Sequence, residues 1–474
     1  MREFSVDSSR IHNLSQSGKD FLALQADDIQ PVEFTDRFQG LGSQERSQLD
    51  ERTQQVKDDL IALSHDLYHH PELGFEEHRS VEAVATLLRK YGYQPTVGIH
   101  GLDTALRCES SSGPQADTTT ADTSPDVSEN TGGSASSENN NSPGPTIAIM
   151  AEYDALPDIG HACGHNVICS SGLGAFLIAA PIVQRLGARL VLLGTPAEEN
   201  GTGKEIMISH GALEGIDAAM MVHPYSGVSR THTTDYLGLR ELYVTFRGHT
   251  AHASATPYMG VNALDAAVMT YNGLSVLRQQ LLFTDRIHAI ITEGGKAPNV
   301  IPEISKMHLY VRSATTTGLK ELSDRLEAVI VAAAQATGCA ADLRWDDTPP
   351  CLPLRSNEVM AERFALHFNA TGQKMIGPQT LVSGAGSTDM GNVSVRVPSI
   401  HPMVAIAPAG VSLHTAHFAD FAAEPLADDV LIASARSLAG TAADLCADAE
   451  LMDAVVKEFD EAGGIPHDEL DALL

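Results

Sequence analysis

The sequence predicts an α/β protein whose main domain is interrupted by a complete β-α-β-β-α-β unit. Two observations predict the α/β part. Short apolar runs alternate with helix-like stretches between residues 146 and 223. Each of these runs ends in polar residues with metal-binding chemistry, which is where sites gather at the carboxyl ends of strands. The third observation is the strand-helix-strand-strand-helix-strand order between residues 228 and 346, a ferredoxin-like pattern.

The elements follow in order. Residues 1 to about 45 are polar and aperiodic and read as a loosely ordered tail. Val56, Leu60, Leu63 and Leu67 then recur at helical spacing, and after Pro71 and Gly74 a second helix carries Val81, Val84, Leu87, Leu88 and Tyr91 on one face. From Cys108 to Pro145 there is no Lys, Arg, Leu, Ile or aromatic residue, so this stretch has almost nothing to bury. It reads as a disordered insertion between two strands, a tolerated loop rather than an interaction tail. Strands are expected at 146–150, 189–194 and 218–222, with a helix over 167–186. In the inserted unit, strands are expected at 239–246, 287–292, 304–311 and 340–345, and helices at 261–280 and 319–336. The expected domains are therefore a metal-binding domain over 46–227 and 347–474, and an inserted domain over 228–346.

Composition narrows the function. The 474 residues hold 31 Lys+Arg against 61 Asp+Glu, a net charge of −30 that would repel a phosphate backbone or an anionic membrane. Neither nucleic acid nor membrane is an expected partner. With 43% hydrophobic and 19% charged residues the chain can bury a core. The longest apolar stretch, Gly172 to Val183, reads as too short to span a bilayer and contains Pro181. The opening residues lack the apolar core of a signal peptide, and six scattered cysteines without a CxxC pair argue against a disulfide framework. A cytoplasmic setting is expected.

Four segments could do chemistry. His161-Ala162-Cys163-Gly164-His165 places a thiol and two imidazoles within five residues, the right atoms for zinc or a similar divalent ion, with Gly164 free to turn tightly. Taken alone, it could be a chance cluster. Glu198-Glu199 could supply one ligand and one proton acceptor, or be a solvated acidic pair. His223 ends a buried run and could be a ligand or a satisfied core histidine. His414 and His417 offer a late imidazole. The pattern Gly384-Ala385-Gly386 is weak as a phosphate loop, lacking a third glycine and a following helix.

Together and in this order these segments resemble the di-metal amidohydrolases of the aminoacylase and carboxypeptidase group. The branch they resemble most acts on p-aminobenzoyl-glutamate, N-acyl amino acids and some dipeptides. The resemblance runs from His70-Pro71-Glu72-Leu73-Gly74 to about residue 440. It rests on Ala151-Glu152-Tyr153-Asp154-Ala155-Leu156-Pro157, Gly160 to Asn166, Gly194-Thr195-Pro196-Ala197-Glu198-Glu199 and Gly248-His249-Thr250-Ala251-His252-Ala253, and later on Pro298 to Pro302 and Ser387 to Gly391. It implies a zinc-peptidase-like catalytic domain with a ferredoxin-like lid that also dimerises. Cys163, His165, Glu199, His223 and His414 fall at metal-ligand positions, Cys163 as the bridge, with His417 the alternative to His414. Glu198 falls at the general base and His252 at the lid histidine that reaches the reacting carbonyl, often across the dimer. Asn299 and Arg312 fall in lid segments near substrate, Arg312 as a carboxylate clamp or a surface ion pair. Asp154 is expected to orient a ligand. Many relatives carry His where this chain has Glu152, which leaves zinc and manganese, and the count of two ions, open. The expected activity is hydrolysis of a small amide; the alternative is a non-catalytic metal- or partner-binding protein on the same fold.

Overall fold

The computed structural model describes residues 34–113, 144–231, 236–377 and 386–463. Residues 1–33 of the expected tail, residues 114–143 of the expected insertion and the pair Gly384-Ala385 lie outside the described residues.

The first part of the chain forms α1 (Ser43–His69), α2 (His78–Lys90), β1 (Thr96–Ile99), β2 (Leu102–Glu109), β3 (Thr146–Ala151), α3 (His165–Arg185), β4 (Arg189–Gly194), α4 (Glu198–Gly201), α5 (Gly203–Ser209), β5 (Ala218–Met220), β6 (His223–Ser226) and β7 (Ser229–Arg230). The inserted unit follows as β8 (Gly238–Arg247), α6 (Ala263–Leu277), β9 (Arg286–Glu293), β10 (Ile304–Ser313), α7 (Thr316–Thr337) and β11 (Ala340–Trp345). The chain then returns through α8 (Glu358–Ala370), β12 (Met375–Ile376), α9 (Met390–Ser394), β13 (Ser399–Ile400), β14 (Met403–Ala407), α10 (Ala416–Phe421), α11 (Pro425–Ala447) and α12 (Ala449–Glu461).

The main sheet runs in the order β1-β2-β4-β3-β5-β13. Its β4, β3, β5 and β13 are parallel, while β2 pairs antiparallel to β4 and adds an edge hairpin. The inserted sheet runs β11-β8-β10-β9, all antiparallel, and confirms the ferredoxin-like pattern. Its inward residues, among them Leu242, Val244, Phe246, Met307, Leu309 and Val311, form a core with α6 and α7 separate from that of the main sheet.

Helix α3 is apolar all round, and a helix of that kind must be enclosed. It is buried from His165 through Ala180, packed between α1, α11 and the sheet. Gly174 makes this possible: a Cβ there would stand 2.6 Å from Leu60 and 2.8 Å from Ala435. Among the described residues two helices, α3 and α11, are long and apolar enough to cross a membrane, contrary to the length expected from the sequence; both spend that surface on the protein's own core.

Two further expectations are corrected. The strand expected at 218–222 breaks after Met220. His223 instead opens β6, which pairs with β14 in a second small sheet of order β12-β7-β14-β6. Within the expected tail, α1 already begins at Ser43 and Leu41 is buried. The cause is Asp444 of α11, which accepts from Leu41 N (2.7 Å), Arg363 Nε (2.5 Å) and His367 Nε2 (2.6 Å). Arg363 also pairs with Asp36.

Burial alone would raise the Asp444 carboxyl, but the hydrogen bonds and charges of His367 and Arg363 hold it down at about 2. A depressed carboxylate stabilises the fold fully above its unfolded value near 4 and loses that contribution as pH falls toward 2. Asp444→Asn should therefore cost about 2–4 kcal/mol near neutrality, because it removes the buried partner of Arg363 and leaves that arginine only the half-exposed Asp36. The deficit relative to wild type should shrink between pH ~4 and ~2 in urea titrations. The two sides of the expected insertion provide a second test. Glu109 pairs with Val191 and Thr146 with Arg189, so the flanking strands reach one end of β4 from either side, about 10 Å apart. Replacing 114–143 by a short Gly/Ser linker should leave the thermal midpoint within about 2 °C by calorimetry.

Candidate metal centre

Strand ends and strained turns deliver the site. After β3 come Glu152 and Asp154, both fully buried. Gly164 sits at φ +80°, and a Cβ there would meet the Pro224 ring at 2.7 Å, so only glycine turns the chain between Cys163 and the first residue of α3, His165. After β4, Ala197 adopts φ +59° and reverses the chain into Glu198 and Glu199. His414, at φ +57°, is anchored by its N–H to Ala162 O at 3.0 Å, directly beside Cys163.

These turns bring all five expected ligands together. Cys163 Sγ lies 3.3 Å from His223 Nε2 and 3.4 Å from His414 Nε2. Glu199 Oε2 lies 3.5 Å from His414 Nε2, and Glu199 Oε1 3.8 Å from His165 Nε2. Ligand atoms of Cys163, His165 and His223 fall within 4.8 Å of one another, as do those of Cys163, Glu199 and His414. Cys163 is common to both groups, as a bridging ligand would be. Asp154 holds the frame, accepting from His165 Nδ1 at 3.0 Å and from Glu199 N at 2.9 Å. His223 Nδ1 bonds Pro224 O at 2.6 Å, which leaves Nε2 to face Cys163.

The electrostatics call for a cation. Burial, then Glu152, Glu199 and Asp389, push the Glu198 carboxyl well up; burial likewise raises Glu199 and the Cys163 thiol. Burial, then His165, lowers His223 to about 4, so it is neutral and able to ligate. His165 Nε2, Glu199 Oε1 and Glu152 Oε2 are buried with no hydrogen-bond partner. Orphaned atoms of this kind, with a thiol, imidazoles and carboxylates as the donor set, fit divalent metal ions.

Of the other expected residues, His417 is exposed and faces Asp420 at 3.8 Å, so it stands apart from the cluster. His252 lies on an exposed lid loop, its Nδ1 accepting from Ser254 N and Ala255 N at 3.3 and 3.2 Å. Asn299 lies beside it, accepting from Ala253 N through its backbone carbonyl. Neither touches the ligand cluster within this chain's described contacts. Arg312 makes no ion pair among the described residues; its Nη1 donates to Ser387 Oγ at 2.8 Å. Two buried residues at the centre were missed. Lys204 binds both Glu152 and Asp389. His401 stands edge-on to His223 at 5.4 Å between ring centroids, both its nitrogens unpartnered.

Comparison with known proteins agrees with this geometry. Residues 237–337 match the family model described as "Peptidase dimerisation domain". The chain is 35% identical to the mouse Xaa-Arg dipeptidase over 427 residues, 86% of this chain and 90% of that protein. It is 27% identical over 332 residues to a p-aminobenzoyl-glutamate hydrolase component of Escherichia coli K12, covering 65% and 62% of the two chains. Among solved structures, a putative aminohydrolase from methicillin-resistant Staphylococcus aureus matches with TM-score 0.67 at 19% identity, over 84% of this chain and 99% of that one. A Bacillus subtilis protein described as a dinuclear metal-binding peptidase of the M20 family matches with TM-score 0.60 at 18% identity, over 82% and 98%. The chain belongs to the M20 family of metal-dependent peptidases and amidohydrolases, alongside the Xaa-Arg dipeptidases.

Proposed function

We propose that this centre hydrolyses the amide bond of a dipeptide or N-acyl amino acid that carries a free carboxylate. The observation that carries this reading is the convergence of Cys163, His165, Glu199, His223 and His414 beside a further carboxylate, Glu198, that the ligand set does not need. Those five residues would hold two ions, and the thiol of Cys163 favours zinc over manganese on softness grounds. Divalent ions, when bound there, would supply Lewis-acid chemistry, polarising the scissile carbonyl and lowering the pKa of an attacking water.

The chain's own groups do the rest. Glu198, a carboxylate beside the ligand set and not needed by it, takes the proton of the attacking water and returns it to the leaving amine. Because two backbone N–H groups point at His252 Nδ1, its proton sits on Nε2, which makes the ring a donor. His252 would donate to the developing oxyanion, an effect worth about 3–4 kcal/mol. Arg312, with no carboxylate partner among the described residues, would take the substrate carboxylate, and Asn299 lies beside His252. The Xaa-Arg dipeptidase relatives make dipeptides with a C-terminal basic residue the first substrates to try. None of the six cysteines is disulfide-bonded, which supports a reducing compartment such as the cytoplasm.

His252 lies away from the cluster of its own chain, so we place it in the site of a second subunit. The lid offers a surface for that pairing. Strand β9 is one of the two edges of the inserted sheet, and beside it Val276 and Phe283 are more than two-thirds exposed, with Val268, Met269 and Tyr271 also exposed on α6.

Dipeptides, N-acyl amino acids and aminobenzoyl-glutamate, incubated with zinc- or manganese-supplemented protein, should yield free amine and acid by mass spectrometry; no cleavage across the panel would sink the reading. Glu198→Gln should lower kcat by at least about 100-fold while zinc content, by inductively coupled plasma mass spectrometry, stays at the wild-type level. Val276→Asp with Phe283→Asp should give a monomer in light scattering and lose most activity. A fully active monomer would exclude His252 acting across the dimer.

A further inference from the structure

The acid groups around the metal centre form a second cluster that the proposed mechanism does not use as ligands. Oxygens of Glu152, Glu198 and Asp389 lie within 4.8 Å of one another. Oxygens that close can share a hard cation, since two bound on opposite sides of a calcium ion, at about 2.4 Å each, stand no more than about 4.8 Å apart. The place is already taken by a cation from the chain. Lys204 Nζ donates to Asp389 Oδ1 at 2.6 Å and to Glu152 Oε1, and Lys204 N donates to Asp389 Oδ2 at 2.9 Å. Lys204, Glu152 and Asp389 are all within 1% of full burial. The helix that carries the lysine is pinned on its next residue too, where Glu205 accepts from Arg396 and Asn392.

Stability alone explains this arrangement poorly, since replacing a buried ion pair by apolar groups is often neutral or favourable. We propose that Lys204 is a built-in cation that fills a latent hard-metal site, confining the divalent ions to the Cys163 centre and leaving the Glu198 carboxylate free of metal. Lys204 thus acts as a positioning residue, through Glu152 and Asp389. The ammonium is suited to this work because it neutralises one charge without offering a coordination position to water or substrate. A divalent ion in its place would bind Glu198 and remove the proton acceptor. The inference goes beyond the proposed amide hydrolysis and does not depend on which substrate is cleaved.

The test is calcium binding, because calcium prefers an all-oxygen site and competes poorly for thiolate and imidazole. Full-length wild type, Lys204→Ala and Lys204→Ala with Asp389→Asn are loaded with zinc and examined by equilibrium dialysis against calcium. The expected result is about one calcium per subunit in Lys204→Ala, none in wild type and none in the double variant, with the zinc content equal in all three. Where Lys204→Ala is unstable, calcium should raise its thermal midpoint while leaving that of wild type unchanged. A lysine with a purely structural role would lower the midpoint with no calcium bound; that result, or a variant that stays unfolded with and without calcium, overturns the proposal. Absence of zinc from wild type would instead count against the metal centre itself, and so separates the two failures.

Discussion

The structure is organised around uncompensated negative charge in a place closed to water. Glu198, Glu199 and Asp389 are brought together with Glu152, Asp154 and the Cys163 thiol, and burial first, then neighbouring carboxylates, pushes those first three carboxyls upward. The chain answers in two ways. Lys204 supplies positive charge from within, pairing with Glu152 and Asp389, while Asp154 is occupied by the hydrogen bonds of His165 Nδ1 and Glu199 N. The remaining carboxylates, Glu198 and Glu199, are pushed upward and await a cation from outside. A centre of this kind gains affinity for divalent ions from the same charge that would otherwise destabilise it.

Holding the groups in place requires backbone that ordinary sequence avoids. Ala197, Thr202 and His414 are non-glycine residues with φ between +51° and +59°, and each stands immediately at a functional element. Ala197 precedes Glu198, Thr202 precedes the helix of Lys204, and His414 is itself a proposed ligand. Left-handed backbone of this type costs about 1–3 kcal/mol per residue and persists only where surroundings enforce it. Here Glu77, buried beneath the turn, accepts from Ala197 N at 2.8 Å, and Gly201 and Gly203 donate to Ala197 O.

How much of this was legible depended on how local each signal is. The spacing of Cys163, Gly164 and His165 predicts convergence because one turn fixes all three, and Glu198-Glu199 follows a strand end that apolar patterning marks. The inserted unit was readable from strand and helix periodicity, since its core is self-contained. His414 and His417 could not be separated by spacing; the choice between them rests on the N–H of His414 bonding Ala162 O. Lys204 carried no signal, because a lone lysine is normally solvated and its burial here is imposed by Asp389, 185 positions away. His401 carried none either, because its place beside His223 is set by ring packing between segments 178 positions apart in the sequence. The break after Met220 was also missed, because leaving the sheet there is decided by the pairing of His223 with Met403.

One short segment links the charge problem to the lid. Both chain connections to the inserted unit meet residues 386–392: Leu237 N donates to Gly386 O at 3.0 Å, and Leu352 N to Asn392 Oδ1 at 2.9 Å. Ser387 accepts from Arg312 of the lid and donates to Leu237 O, while two positions on Asp389 grips Lys204. The groups that set the charge of the centre and Arg312, the proposed carboxylate clamp, thus share one anchor. The centre is most open at His414, whose side chain is 55% exposed while its partner ligands are buried. A change in lid position would be felt first at residues 386–392, which also fix Asp389 against the lysine.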